Sequence, residues 1–144
     1  RAHRERNTVS FMMMDIDHFK QVNDNYGHDA GDMVLVTLAD LFRTHTRQGD
    51  IVCRYGGEEF LVIMAEVGEA DARRRAEEIR RNFNDKHIDY NGTKLSATIS
   101  IGVAFYPQNG DDSDVVIKAA DVAMYKAKQA GRNCVRVWEA EYQN

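Results

Sequence analysis

The run from Val9 to Met14 offers apolar side chains on both faces and is short, which predicts a fully buried strand rather than a helix. Asp15 then falls at a strand end. A short helical turn is expected from His18 to Tyr26, and Gly27-His28-Asp29-Ala30-Gly31-Asp32 is expected to break it before a longer helix begins. Val34, Leu38, Leu41 and Phe42 give that longer helix an apolar face at helical spacing, and it should end near Gly49. Ile51, Cys53 and Tyr55 alternate with Val52 and Arg54, and Phe60 to Met64 is a second strand-like run. The Gly56-Gly57 pair between them predicts a hairpin with Glu58 and Glu59 at its tip.

Ala72, Ala76, Ile79 and Phe83 mark an amphipathic helix whose other face carries Arg73, Arg74, Arg75, Arg80 and Arg81, all expected to be solvated. Asn91-Gly92 reads as a tight turn between short strands, followed by a longer strand through Leu95, Ala97, Ile99, Ile101, Val103 and Phe105 that Pro107 stops. Asp111, Asp112, Ser113 and Asp114 supply caps and negative charge for the start of a last helix. That helix should run to Gly131, with Val135 and Val137 in a closing strand. The order predicts one α/β domain, a mixed sheet with helices packed on it, and no linker, repeat or low-complexity tract.

Composition narrows the partners. A chain of 144 residues fits a single core, and a formal net charge of -4 argues against a nucleic-acid binder, which needs a broad basic surface. Small charged ligands remain open. Cys53 and Cys134 lie in apolar alternating stretches and read as two buried, reduced thiols in a reducing cytoplasm. No apolar run approaches the roughly 20 residues that span a bilayer, so the domain is expected to be soluble, with no membrane contact of its own. The opening Arg1-Ala2-His3-Arg4-Glu5-Arg6 has no signal-peptide core and is charged with helical character, as in a piece of a longer protein whose sensory part lies elsewhere.

Two motifs carry the candidate chemistry. Asp15-Ile16-Asp17-His18-Phe19-Lys20 closes the first strand with carboxylates, and Arg54-Tyr55-Gly56-Gly57-Glu58-Glu59-Phe60 sets two more on a turn. Magnesium takes hard oxygen ligands, usually one or two carboxylates with water and substrate phosphates filling the rest, and Asp15, Glu58 and the carbonyl of Ile16 could supply them. Gly56 and Gly57 would let a phosphate or base approach the backbone and would permit positive φ. Taken alone, the glycine pair also reads as a bare hairpin with a solvated acidic tip. Together the two motifs point to nucleotide chemistry, because one reaction needs both.

On these residues, and on Asn23-Asp24, Gly27-His28, Gly31-Asp32, Tyr125-Lys126-Ala127-Lys128 and Gly131-Arg132-Asn133, the chain resembles the GGDEF domain family of diguanylate cyclases, with Gly-Gly-Glu-Glu-Phe as one form of the signature. The resemblance spans nearly the whole chain. It implies a single α/β domain with a central, largely antiparallel five-stranded sheet flanked by helices, similar to the catalytic domains of nucleotidyl cyclases and the palm of polymerases. It further implies a homodimer in which each domain holds one GTP and the pair is condensed into cyclic di-GMP and two pyrophosphates, with Mg2+ or Mn2+ as cofactor.

On that resemblance Asp15, Glu58 and the Ile16 carbonyl hold the metal, and Glu59 supports the metal or a hydroxyl. Glu58 is also the candidate proton acceptor, and Lys20 and Lys128 neutralise the triphosphate. Asn23 and Asp32 read guanine, whose donor edge suits an Asp and whose acceptor suits an Asn amide, while His28, Gly56, Gly57 and Arg132 complete the substrate contacts. Arg47-Gln48-Gly49-Asp50 resembles the family's inhibitory RxxD site for cyclic di-GMP, with Arg74 as a second contact and Glu78 where some members carry another arginine. The family's Leu-Thr-Gly-Leu and Asn-Arg motif does not precede the first strand here, so residues 1–144 read as the catalytic domain without its start. The alternatives are a cyclase-like sensor that binds cyclic di-GMP or GTP without turnover, and an enzyme making a single-nucleotide or mixed cyclic product.

Overall fold

β1 (Val9–Ile16) is the centre of the fold, buried from Ser10 to its end, with antiparallel neighbours on both edges. The computed structural model describes residues 7–143, so the opening Arg1–Arg6, expected to be helical, lies outside the described residues. Chain order continues with α1 (Phe19–Tyr26), α2 (His28–His45), β2 (Ile51–Arg54), β3 (Glu59–Ala65), α3 (Glu69–Asn84), β4 (Ile88–Tyr90), β5 (Thr93–Leu95), β6 (Ile99–Tyr106), α4 (Ser113–Gln129) and β7 (Val135–Val137). The main sheet has the order β2-β3-β1-β6-β7. It is mixed rather than largely antiparallel, because α4 carries the chain over the sheet and returns β7 parallel to β6.

Alternation along β1 divides the core into two layers. Met12, Met14 and Ile16 face α2, α3 and the β4–β5 hairpin, joining Val34, Leu38, Phe42, Ile79 and Phe83. Phe11 and Met13 face α4 and join Leu61, Val116, Ala120 and Met124. Position 102 in β6 must be glycine, since a Cβ there would overlap the main chain of α4 at Ala120 and Met124.

Several boundaries differ from expectation for local reasons. Gly27, at φ 95, makes the break by itself, so α2 starts at His28 instead of after Asp32. The helix ends at His45, short of Gly49, where Thr46 Oγ1 donates to the Phe42 carbonyl at 2.5 Å. The long strand expected from Leu95 is interrupted, because Thr98 is taken by Asp17 through both its carbonyl and its hydroxyl. At the last helix, Asp112 Oδ1 accepts from Val115 N–H as an N-cap. Among the described residues no helix is long and apolar enough to cross a membrane.

Two burial expectations fail. Cys53 is exposed, because β2 is an edge strand open along its length, and Cys134 is only half-buried; both are free thiols. Arg75 and Arg80 are not solvated: their side chains are 12% and 15% exposed, and each reaches off its helix to a distant loop.

Candidate active site

The end of β1 and the β2–β3 turn are stitched together directly. Asp15 pairs with Glu59 in the strand register, and Ile16 N–H donates to the Glu58 carbonyl at 3.2 Å. The two acidic motifs therefore meet, with Glu59 rather than Glu58 opposite Asp15. The turn is closed by Tyr55 N–H and Gly56 N–H, which donate to the Glu59 carbonyl at 2.7 and 3.3 Å. Arg54 fastens it further, donating from Nε and Nη2 to the Gly57 carbonyl at 3.1 and 2.6 Å. Neither Gly56 nor Gly57 adopts the expected positive φ. What they supply is room: a Cβ on Gly56 would press Glu59 Oε1 at 3.0 Å, while Gly57 faces open space.

Asp15 and Glu59 project on the α4 side of the sheet. Lys128, in the last turn of α4, donates to Asp15 Oδ2 at 2.8 Å. Burial pushes the Asp15 carboxyl above its ordinary value, with Lys128 acting against that rise. Burial also raises Glu59, and the neighbouring Asp15 and Asp121 carboxylates add to the effect. Crowded, partly desolvated carboxylates with one ammonium between them are a donor set that a divalent cation would relieve. Among the described residues no group of three or more acidic, His or Cys side chains forms a ready cage. The carboxylates of Asp15 and Glu59 are hard oxygen donors, the kind magnesium takes together with water and phosphate ligands.

The second acid of the first motif has a different task. Asp17 is buried and accepts from Thr98 Oγ1 and Ser100 Oγ at 2.7 Å each, and from Asn133 N–H at 3.0 Å. It ties β1 to β6 and to the turn after α4.

The expected guanine-reading residues sit on the opposite layer, beyond the end of β1. Asn23 of α1 packs against α2 where Gly31 leaves space for its amide, since a Cβ at 31 would overlap Asn23 Oδ1. That oxygen is buried without a hydrogen-bond partner among the described residues. Asp32 is exposed and borders a depression of about 380 Å³ between α2 and the β4–β5 hairpin, shared with Asp29, Met33, Val36 and Tyr90. His28 is exposed at the first position of α2. Lys20 is exposed and pairs with Asp24 at 2.9 Å, not with the carboxylates of β1. Arg132 is exposed in the turn after α4, with φ 66.

The RxxD segment is a tight loop. Arg47 N–H donates to Asp50 Oδ2 at 2.7 Å, Asp50 N–H returns to the Arg47 carbonyl at 3.0 Å, and Arg47 Nη2 reaches the Ala65 carbonyl at 3.3 Å. Arg75, expected in solvent, instead reaches Asp50 Oδ2 at 3.4 Å and the His45 carbonyl at 3.2 Å. Arg74 stays on its own helix, between Asp71 and Glu78. The signal that could have separated the two arginines is helical phase: Arg75 is three residues after Ala72 and four before Ile79, beside the buried stripe.

Known proteins resemble this chain in sequence and in fold. The chain is 44% identical over 131 residues to Diguanylate cyclase A of Treponema denticola, covering 91% of this chain and 35% of that protein. It resembles the active GGEEF domain of a diguanylate cyclase from Vibrio cholerae with a TM-score of 0.86 and 34% identity, over 96% of this chain and 88% of that one. The GGDEF domain of DgcB from Caulobacter crescentus, solved with c-di-GMP, gives a TM-score of 0.86 and 31% identity over 95% and 84% of the two chains. The chain spans about a third of the length of the curated relatives it matches. The family model described as "Diguanylate cyclase, GGDEF domain" matches residues 1–134, and the chain belongs to that family.

Proposed function

We propose that this domain condenses two molecules of GTP into cyclic di-GMP and two pyrophosphates, with magnesium or manganese bound and as a dimer of domains in the cytoplasm. The observation that carries the reading is the junction of β1 with the β2–β3 turn, where Asp15 pairs with Glu59, the Glu58 carbonyl accepts from Ile16 N–H, and Lys128 holds Asp15. Asp15, Glu58 and the Ile16 carbonyl would hold the metal, with Glu59 in support; when bound, it neutralises charge that develops on the phosphates.

The chain's own groups do the rest. Lys20, Lys128 and Arg132 bind the triphosphate, and the open face of Gly57 lets phosphate approach the main chain. Asn23, whose amide N–H suits the guanine acceptor, and Asp32, whose carboxylate suits the donor edge, take the base, and His28 lies at the start of the same helix as Asp32. Adenine would leave those groups unsatisfied, which disfavours ATP. Each domain holds one nucleotide, so the 3′-hydroxyl that attacks an α-phosphorus comes from the partner domain's GTP, and pyrophosphate leaves. Glu58 accepts the hydroxyl proton. The product in turn binds at Arg47 and Asp50, with Arg74 alongside, where Arg75 sets the Asp50 carboxylate before any ligand arrives.

The test is incubation with GTP and magnesium, with products resolved by chromatography and ATP run in parallel. Cyclic di-GMP and pyrophosphate are expected from GTP alone. A forced dimer of the chain that releases neither overturns the reading.

A further inference from the structure

The turn that follows α4 is strained. Arg132 and Asn133 are consecutive non-glycine residues in the left-handed region, at φ 66 and 50, next to Gly131 at φ 117. Such a conformation persists only where the surroundings hold it. On one side Gly131 N–H donates to the Lys128 carbonyl at 3.3 Å and Arg132 N–H to the Ala127 carbonyl at 3.0 Å, so the turn is built onto the residues that end α4. On the other side Asn133 N–H donates to Asp17 Oδ2 at 3.0 Å, two residues from Asp15.

The remaining hold comes from a different element. Arg80, on α3, donates from Nη1 to Asn133 Oδ1 at 2.7 Å. Its guanidinium is aimed by Glu77, which accepts from Nε at 2.8 Å and from Nη2 at 2.5 Å. A fork held on two corners by a carboxylate points its third donor in a fixed direction.

We infer that Arg80 is a positioning residue for the nucleotide site: acting through Asn133, it fixes the turn that presents Arg132 and closes the helix bearing Lys128. The nucleotide half of this inference rests on the proposed cyclase reading; the hold on the turn does not.

The experiment compares the parent chain with Arg80→Gln, Arg80→Lys and Arg73→Gln, the last lining the same cleft between α3 and β7. With GTP as substrate, Arg80→Gln should raise KM about tenfold and leave kcat within about twofold, because misplaced Arg132 and Lys128 weaken triphosphate binding. A purely structural loss would do the opposite, lowering apparent kcat through fewer folded molecules and leaving KM alone. Arg80→Lys keeps a cationic donor for Asn133 Oδ1 and should return KM to within about threefold of the parent. Arg73→Gln should change neither constant. Asn133→Gly keeps the left-handed turn and removes the acceptor, so adding Arg80→Gln to it should cost nothing more.

Amide hydrogen exchange supplies a readout that needs no turnover. Exchange at Arg132 and Asn133 should quicken about tenfold in Arg80→Gln while Ile79 and Phe83 stay protected. Unchanged exchange at those two amides overturns the inference even if the parent chain makes no cyclic di-GMP. So does an unchanged KM in an active parent.

Discussion

Lys128 Nζ donates to Asp15 Oδ2 across 2.8 Å, joining the last turn of α4 to the end of β1. The Asp15 side chain is 7% exposed and that of Lys128 is 26% exposed, so the pair is screened less than a surface contact. Lys128 also opposes the rise that burial imposes on the Asp15 carboxyl. Lys128→Met should therefore leave Asp15 harder to ionise and the triphosphate short of a charge. A fall of about a hundredfold in kcat/KM for GTP, equivalent to roughly 2.7 kcal/mol, is the expected outcome in steady-state kinetics.

Glu58 offers a cleaner separation of structure from chemistry. Its contribution to the junction is a main-chain carbonyl that accepts from Ile16 N–H, and that bond survives any side-chain change. Glu58→Gln should keep its melting temperature within about 2 °C of the parent, a difference well under 1 kcal/mol, yet lose at least about a hundredfold in rate. A folded Glu58→Gln protein with parental turnover would remove Glu58 from the metal set.

Hydrophobic pattern says which faces are buried but not which distant groups touch. Periodicity placed Val34, Leu38 and Phe42 of α2 and Ala72, Ile79 and Phe83 of α3 in the core, and all are buried. Both acidic motifs and the strands that carry them were equally legible. Register is not written in periodicity, so nothing local said that Glu59, and not Glu58, lies opposite Asp15. Nor could it say that Asp17 would serve as an acceptor for Thr98, Ser100 and Asn133, since those partners are fixed by the β1–β6 pairing and the crossover to β7. Long arginines escape pattern reading for the same reason: a residue beside an apolar stripe can lie in water or span to another loop, and Arg75 and Arg80 span.

Arg75 and Arg74 differ by one position and should differ widely in stability. Arg75 is 12% exposed and faces an Asp50 side chain that is 4% exposed, so Arg75→Met leaves a buried carboxylate with the Arg47 N–H but no cation, at a cost of about 2 kcal/mol. Arg74 is 60% exposed between Asp71 and Glu78, and Arg74→Ala should cost less than about 0.5 kcal/mol. Urea unfolding of both proteins measures the contrast, and equal midpoints would mean that Arg75 does not restrain the loop.

Glu77 gives a pH signature to the grip on Arg80. The hydrogen bonds from Arg80 hold its carboxyl below the ordinary value of 4.5, with partial burial opposing. A depressed folded pKa means that the stabilisation is fully present above 4.5 and is lost as pH falls through the lower folded value. Glu77 is 43% exposed, so solvent screening limits the effect to less than about 1 kcal/mol. Glu77→Gln should accordingly be slightly less stable than the parent at pH 7, and unfolding curves taken at successively lower pH should converge once the parent's carboxyl is protonated.

Two glycines should respond in opposite ways to the same added methyl group. In β6, Gly102 pairs with Met13 and Arg136, and a Cβ there would overlap the Ala120 carbonyl oxygen and the Met124 nitrogen. Those are helix main-chain atoms, which no rotamer change can move aside. Gly102→Ala must lift α4 off the sheet and with it Lys128, so about 3 kcal/mol or more of stability should be lost, along with affinity for GTP. Gly57 lies at the turn with ordinary φ, and a methyl group added to it would meet nothing within 4 Å, so Gly57→Ala should unfold within about 0.5 kcal/mol of the parent. Its deficit should appear only when nucleotide is present, as weaker GTP binding by calorimetry, because the space the methyl group fills is the approach to the main chain. Parental affinity in Gly57→Ala would mean that no phosphate comes to that face, and the turn would then serve only to aim Glu58 and Glu59.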